Sequence, residues 1–416
     1  MSYCFNIFKP AIKILIISLL LSGNKLLAQP NPIKELNQFS LSLYQLQPKG
    51  SNIVISPLSV AYLLAILHGG AQGDTKKQIE TLLNRNTLDK MDNIITKSLP
   101  QKYFNNYCFD HFYCFISNFL NRNQSKFLLN NAIWYDKTIK ISPQFKTNAK
   151  KLFKIHFSEV DFKTSNQALS AINKWVKKYS LGKNKLFLDK IEADTALIAI
   201  NLIYFKANWQ SQFKKSDTTI NDFYIASGQT VAARMMQQTH DYDYYNDNGT
   251  QIVILSYEKI PYEMLIIMPS PEEKLENWLN GFTQDKLNTL IKNASQTEIS
   301  LKMPKFESQA QLFDVKSSLT SLGVSDLFDP NKADLSNLTQ SRTNLYVSKL
   351  LQSSYIKVDE SGSEAAVASA AVVLFGNPPP LLVNINRPFL FMIMHKEMHL
   401  ILFIGHITNP NINAPH

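Results

Sequence analysis

Residues able to ligate a metal or attack a carbonyl are few in this sequence, and two clusters invite inspection. Cys108, His111 and Cys114 follow one another three residues apart. Thiolate and imidazole suit zinc, but at i, i+3 and i+6 they drift around a helix. A closed tetrahedral site also needs a fourth ligand, and none is evident. The surrounding KYFNNYCFDHFYCF favours aromatic core packing. A local Cys108–Cys114 bridge is an alternative that spacing leaves open. His395-Lys396-Glu397-Met398-His399 sets two imidazoles around a carboxylate, whereas a zinc peptidase needs His-Glu-x-x-His along one helix face. The order is wrong, and the apolar runs on either side predict a hairpin with these residues at its tip. The sequence has no Gly-x-Ser-x-Gly elbow, phosphate-binding glycine loop or dinucleotide fingerprint. It offers no catalytic group, metal site or cofactor site. A hydrolase would rest on scattered histidines alone.

The unusual segment is Val358–Pro388, VDESGSEAAVASAAVVLFGNPPPLLVNINRP. Its chemistry is that of the backbone. Gly362–Ala371 carries little side-chain bulk and no proline, so every N–H is available as a donor. Alanine is a poor strand former, and by composition the stretch reads as a linker or a short helix. Small side chains would nevertheless let it enter a sheet between existing strands. At period two, Ser363, Ala365, Val367, Ser369, Ala371 and Val373 share one face and none is charged. Pro378-Pro379-Pro380 cannot donate ladder bonds, so any such strand ends before them.

The elements that must position this segment belong to a chain with a large core. Of 416 residues 45% are hydrophobic and 18% charged, with 13 Gly and three Cys. That excludes a disordered, collagen-like or disulfide-scaffold chain. Met1–Ala28 has the layout of a secretory signal: Lys9 and Lys13, the apolar run Ile14–Leu21, then Leu26-Leu27-Ala28 before Gln29. The run is far short of the roughly 20 residues a spanning helix needs. Its removal leaves 40 basic and 33 acidic residues, a net +7 against +10 for the whole chain. Lys174, Lys177, Lys178, Lys183 and Lys185 form the densest basic stretch. It reads as a solvated helix face, without the aromatic or Gly-rich companions of a nucleic-acid site.

Helices are expected over Pro32–Tyr44, from Pro57 to His68, and over Gln144–Phe153, Asn166–Ser180, Asp285–Lys292 and Asp314–Leu322. Ser56 stands as a capping hydroxyl before Pro57, and Thr75…Gln78 has the form of a capping box. Strands are expected over Leu197–Phe205, Met264–Met268, Thr297–Met303, Phe389–Ile393 and Leu400–Ile407. Helices and long strands without strict alternation argue for an α+β fold.

With these elements in order, the sequence resembles the serpins over essentially all of Asn37–Pro410. Glu360-Ser361-Gly362-Ser363-Glu364-Ala365-Ala366 matches the family's acid-x-Gly-Thr/Ser-Glu-Ala-Ala hinge. Asn52–Ser59 (NIVISPLS) carries its two serines, Ser56 and Ser59, and Asn201–Trp209 (NLIYFKANW) its Asn and Trp. Arg387–Phe391 and Phe403–Pro410 match the closing strands. The resemblance implies one domain over residues 29–416 after the signal, with three β-sheets and about nine helices. It also implies an exposed reactive-centre loop over about residues 360–386, while the N-terminal signal implies a secreted protein, extracellular or periplasmic. The implied activity is suicide inhibition of an endopeptidase, held in a covalent complex after the hinge inserts into the central sheet. No nucleic acid or membrane is implied as partner. The molecule is expected to be a monomer, with loop–sheet polymers as a hazard.

By the same resemblance the hinge comprises Glu360, Gly362, Ser363, Glu364, Ala365, Ala366, Val367 and Ala368. Ser56, Ser59, Asn201, Trp209 and Gln352 lie beneath the sheet opening. Gln352 stands where many members have His: it can donate and accept, but it cannot titrate. Val367 replaces a usual Ala or Gly. Leu374, Phe375, Gly376 and Asn377 are candidates for the reactive bond. Spacing from the hinge selects Gly376; spacing from Pro388 selects Asn377, which a following Pro disfavours. Phe375 in the primary pocket implies a chymotrypsin-like target. Gly376 there implies a papain-like or elastase-like one. The other reading of the family resemblance is a non-inhibitory carrier, chaperone or storage protein.

Overall fold

The computed structural model describes residues 31–99, 126–153, 155–180, 182, 184–186, 188–308, 310–340, 345–362 and 379–411. The Met1–Ala28 segment, the Cys108–Cys114 cluster and Ser363–Pro378 lie outside the described residues. The chain begins with α1 (Pro32–Gln45), β1 (Ile53–Ile55), α2 (Pro57–Gly70), α3 (Gly73–Leu83), α4 (Arg85–Asp89) and α5 (Met91–Ser98). Next come β2 (Lys126–Asp136), α6 (Pro143–Phe153), β3 (His156–Val160), α7 (Ser165–Tyr179), β4 (Asn184–Leu186) and β5 (Leu197–Lys206). They lead to β6 (Thr219–Tyr224), β7 (Thr230–Asp247), β8 (Thr250–Ser256), β9 (Tyr262–Met268), α8 (Leu275–Asn280) and α9 (Gln284–Asn293). Then follow β10 (Ser295–Pro304), β11 (Phe306–Glu307), β12 (Ala310–Gln311), β13 (Phe313–Asp314) and α10 (Lys316–Ser321). The chain closes with β14 (Lys349–Val358), β15 (Leu381–Asn384), β16 (Phe389–His395) and β17 (Leu400–Ile407).

The α+β expectation holds. Three sheets are formed among the described residues: one of nine strands, one of six ordered β11-β14-β5-β2-β3 with β13 also on β14, and the pair β12-β4. The hairpin expected at His395–His399 joins β16 to β17 in antiparallel register, Phe389 opposite Ile407. α2 is apolar on almost every side, and such a helix must be enclosed. It is: Leu58 to Leu67 are buried without a break.

Two local signals are used differently from the expectation. α3 begins at Gly73, ahead of Thr75, and no side chain caps it. Thr75 Oγ1 accepts instead from Asp334 N (2.9 Å), and Gln78 Oε1 from Ser325 N and Asp326 N (3.0 and 2.9 Å). Ser56 occupies the N-cap of α2, but its hydroxyl makes no cap bond and donates to Leu402 O (2.7 Å). In both places a long-range partner outcompetes the local one. The last expected helix is also shorter, because Asp314 belongs to β13 and its carboxylate accepts from Lys316 N and Leu350 N.

Both faces of the six-stranded sheet are covered. On one side lie α2 and the nine-stranded sheet. On the other, Ala168, Ile172, Trp175 and Val176 of α7 pack with Ala132 and Trp134 of β2, Ile198, Ile200 and Leu202 of β5, and Leu351 of β14. α7 therefore lies across the line where β5 meets β14.

Candidate functional site

β5 and β14 run parallel over eight register pairs, from Ile198↔Lys349 to Phe205↔Ile356. Both strands are buried along most of their length, β5 from Leu197 to Ile203 and β14 from Leu350 to Ile356 without interruption. At one buried pair both members are amides: Asn201 opposite Gln352. Both side chains are fully buried, together with Ser56 and Ser59 of the neighbouring helix start. Buried polar groups must find partners, and these do. Gln352 Nε2 donates to Ser56 O (2.7 Å) and to Ser59 Oγ (2.8 Å). Its Oε1 accepts from Ser56 N (3.3 Å). Ser59 Oγ donates to Asn201 Oδ1 (2.6 Å), and Asn201 Nδ2 donates to Asn131 Oδ1 (2.8 Å) on β2. With Ser56 Oγ on Leu402 O, one network fastens β2, β5 and β14 to α2 and β17. None of its side chains titrates near neutral pH, so the fastening is independent of pH there.

The second cluster lies where β14 ends, about 25 Å further along the strand at 3.3 Å per residue. Asp359–Gly362 turns back against the segment following β5. Trp209 Nε1 donates to Asp359 O (3.0 Å), Trp209 N to Ser361 O (3.0 Å) and Phe213 N to Glu360 O (2.9 Å). The Trp209 indole stacks on Tyr257, with ring centroids 4.6 Å apart. Gly362 has φ +91°, and a Cβ there would collide with the backbone of Ala207, Asn208 and Trp209. Only glycine fits.

Glu360 turns its carboxylate to Lys305 Nζ (2.8 and 3.0 Å) and Thr218 Oγ1 (2.7 Å). Burial alone would push this carboxyl up. The bonds from Lys305 and Thr218 outweigh it and hold the group below the usual glutamate value. It is a charged clamp between β14 and the end of β10.

Four of the five residues expected beneath the sheet, Ser56, Ser59, Asn201 and Gln352, therefore meet in one network. Trp209 meets Glu360 and Gly362 in the other. Ser363, Glu364, Ala365, Ala366, Val367 and Ala368 of the hinge lie outside the described residues, as do Leu374, Phe375, Gly376 and Asn377. The structure adds Asn131, Thr218, Tyr257 and Lys305. β2 and Asn131 were not among the expectations, and the signal that points to them is an amide inside the apolar run Phe127–Tyr135; Lys305 has no local signal, being 55 residues from its partner. Among the described residues no group of three or more His, Cys, Asp or Glu is placed to hold a metal, and no helix is long and apolar enough to cross a membrane.

A family model described as Serpin (serine protease inhibitor) matches residues 34–410. Antithrombin-III of Homo sapiens is 30% identical over 386 residues, covering 90% of this chain and 81% of that protein. Leukocyte elastase inhibitor of Homo sapiens is 30% identical over 387 residues, covering 89% and 96% respectively. The solved structure of tengpin, a thermophilic serpin, in the native state aligns with a TM-score of 0.76 at 27% identity. It covers 91% of this chain and 94% of that one.

Proposed function

The chain belongs to the serpin family, and on that premise we propose that it is a secreted suicide inhibitor of endopeptidases. The observation carrying this reading is the parallel β5–β14 pair, whose far end runs directly into Glu360-Ser361-Gly362 and then the small-residue segment. A strand entering between β5 and β14 would be parallel to neither, since it returns from the turn at Gly362. It would find N–H and C=O groups on both sides. A target protease attacks a carbonyl in the loop with its serine or cysteine. The C–N bond breaks, the new amine takes a proton and leaves, and the acyl-enzyme remains. The hinge (Ser363, Glu364, Ala365, Ala366, Val367, Ala368) then enters the sheet and carries the protease with it before water can attack.

Roughly a dozen entering residues would form about as many ladder bonds at a net ~0.5–1.5 kcal/mol each. The sum is on the order of 10 kcal/mol, comparable with the whole stability of an ordinary domain. Such a gain suffices to deform a bound protease. Loop insertion in serpins is a known instance of strand addition and stored strain.

The reactive bond follows Phe375 or Gly376. Phe375 would direct the inhibitor to a chymotrypsin-like protease, and Gly376 to an elastase-like or papain-like one. No Arg or Lys lies in Val367–Asn377, which speaks against trypsin-like targets. Residues 1–28 serve as the export signal and 29–416 as the active domain, working as a monomer without a cofactor. The test is a protease panel on residues 29–416, read on denaturing gels for covalent complexes and by mass spectrometry for the cut bond. Complexes cut within Val373–Asn377 support the reading. Cleavage without complexes, and without a rise in melting temperature on nicking, would instead favour a non-inhibitory serpin acting as carrier, chaperone or storage protein.

A further inference from the structure

Tyr204 and Tyr355 are register partners across the same parallel pair, three residues nearer Gly362 than Asn201 and Gln352. Their rings stack with centroids 5.3 Å apart and planes 3° from parallel. Residues two apart on a strand share a face. Tyr355 is thus on the side of Leu351, and Tyr204 on that of Leu202, the face that α7 covers at the other end of the pair. Tyr355 is only 5% exposed. Its hydroxyl donates to Glu307 Oε1 (2.6 Å). Glu307 lies on β11, which pairs with β14 on the side away from β5.

Tyr355 is therefore held from two sides by contacts with different fates. Inserting a strand moves β5 and β14 from one strand spacing to two, from about 4.8 Å to about 9.6 Å. Stacked rings lose contact beyond about 7 Å. The Tyr204 stack must break, whereas the Glu307 bond, wholly on the β14 side, survives. The stack also stands nearer the hinge than the buried amide network does, so an entering strand meets it first.

We propose that the Tyr204–Tyr355 stack gates strand admission, setting how fast the β5–β14 pair parts and hence how a cleaved protease divides between capture and release. This rests on the inhibitory reading above. The stack is broken before the bonds of the new strand replace it. It consequently stabilises the closed sheet without stabilising the inserted one. Tyr355 is a positioning residue: it touches neither the protease nor the reacting bond.

The test compares Tyr355→Val and Tyr355→Phe with the wild type, each intact and loop-nicked. Tyr355→Val should lower the melting temperature of the intact form by about 1 °C more than that of the nicked form. It should speed insertion about fivefold, the size expected from an aromatic pair, read by stopped-flow fluorescence from a dye on the loop. The fraction of protease released should fall accordingly. Tyr355→Phe keeps the ring and should leave the insertion rate unchanged, while losing the Glu307 bond equally in both forms. Equal destabilisation of intact and nicked protein by Tyr355→Val, or an unchanged insertion rate, overturns the gate alone. A wild type that gains no stability on nicking overturns the inhibitory reading, and the gate with it.

Discussion

Gln352 and Asn201 face each other across β14 and β5 and share one hydroxyl: Ser59 Oγ accepts from Gln352 Nε2 and donates to Asn201 Oδ1. The amide of Gln352 is fully engaged there, both of its N–H groups donating and its oxygen accepting from Ser56 N. The strand pair is thus fastened by an uncharged bridge on one face and by the tyrosine stack and α7 on the other.

Gln352→Leu keeps the volume and removes the bridge. The Ser56 carbonyl and N–H and the Ser59 hydroxyl lose a partner inside the core, where an unsatisfied group costs about 1–3 kcal/mol. The intact protein should melt earlier and form polymers on mild warming, because the pair parts more easily. Scanning calorimetry and native gels would read both, and a melting temperature equal to wild type would remove the bridge from the account. Gln352→His should add a pH dependence of insertion near the imidazole range that the wild type lacks.

Gly362→Ala tests the turn. The left-handed backbone there and the nearby Trp209 amide exclude a Cβ. Strain costs about 1–3 kcal/mol, and overpacking a similar amount. The turn should shift, the Trp209 N to Ser361 O bond should lengthen, and the Trp209 fluorescence should change. Denaturant unfolding at wild-type midpoint would show that Gly362 is not so confined.

Much of this arrangement is legible in the sequence, and the failures share a cause. α2 was readable because a helix apolar on almost every side leaves one placement, and β5 because a long apolar run interrupted by Asn201 reads as a buried strand. Thr75 and Gln78 have the letters of a capping box, yet their side chains bind Asp334, Ser325 and Asp326. Spacing along the chain contains no trace of such partners. Lys305 escaped for the same reason, and Tyr355 passes in sequence for one more core aromatic. Contacts within a turn or two can be read from letters; those made when distant strands meet cannot.

The Glu360–Lys305 pair predicts an acid limb in stability. The folded carboxyl titrates below its usual 4.5, so the unfolded chain takes up the proton first as pH falls. The stabilisation is complete above pH 4.5 and is lost as pH drops through the lower folded value. Glu360→Gln should remove this limb and cost about 1–3 kcal/mol at neutral pH, the scale of hydrogen bonds to a charged group. His406 acts in a different window. Burial depresses it to about 4, so its contribution declines from pH 6.5 down to about 4. Urea titrations of Glu360→Gln and of His406→Gln should each lose only its own part of the curve. An acid limb unchanged in Glu360→Gln would assign it elsewhere.

Ser363 follows Gly362 and is the first residue that would enter between β5 and β14. The pair it meets is lined by buried Tyr355, Ile356 and Phe205. A hydroxyl can enter by bonding to the ladder, but a guanidinium loses its hydration at the first step and finds no carboxylate along β5, which carries none. Ser363→Arg should leave folding and cleavage of the loop unaffected, because residue 363 lies far upstream of the candidate bonds at Phe375 and Gly376. Insertion should stall, and the acyl-enzyme should hydrolyse to free protease and nicked protein. Denaturing gels would then show cleaved chain in place of the covalent complex. Complexes formed as efficiently as by the wild type would mean that residue 363 never enters the sheet, and a different means of capture would have to be sought.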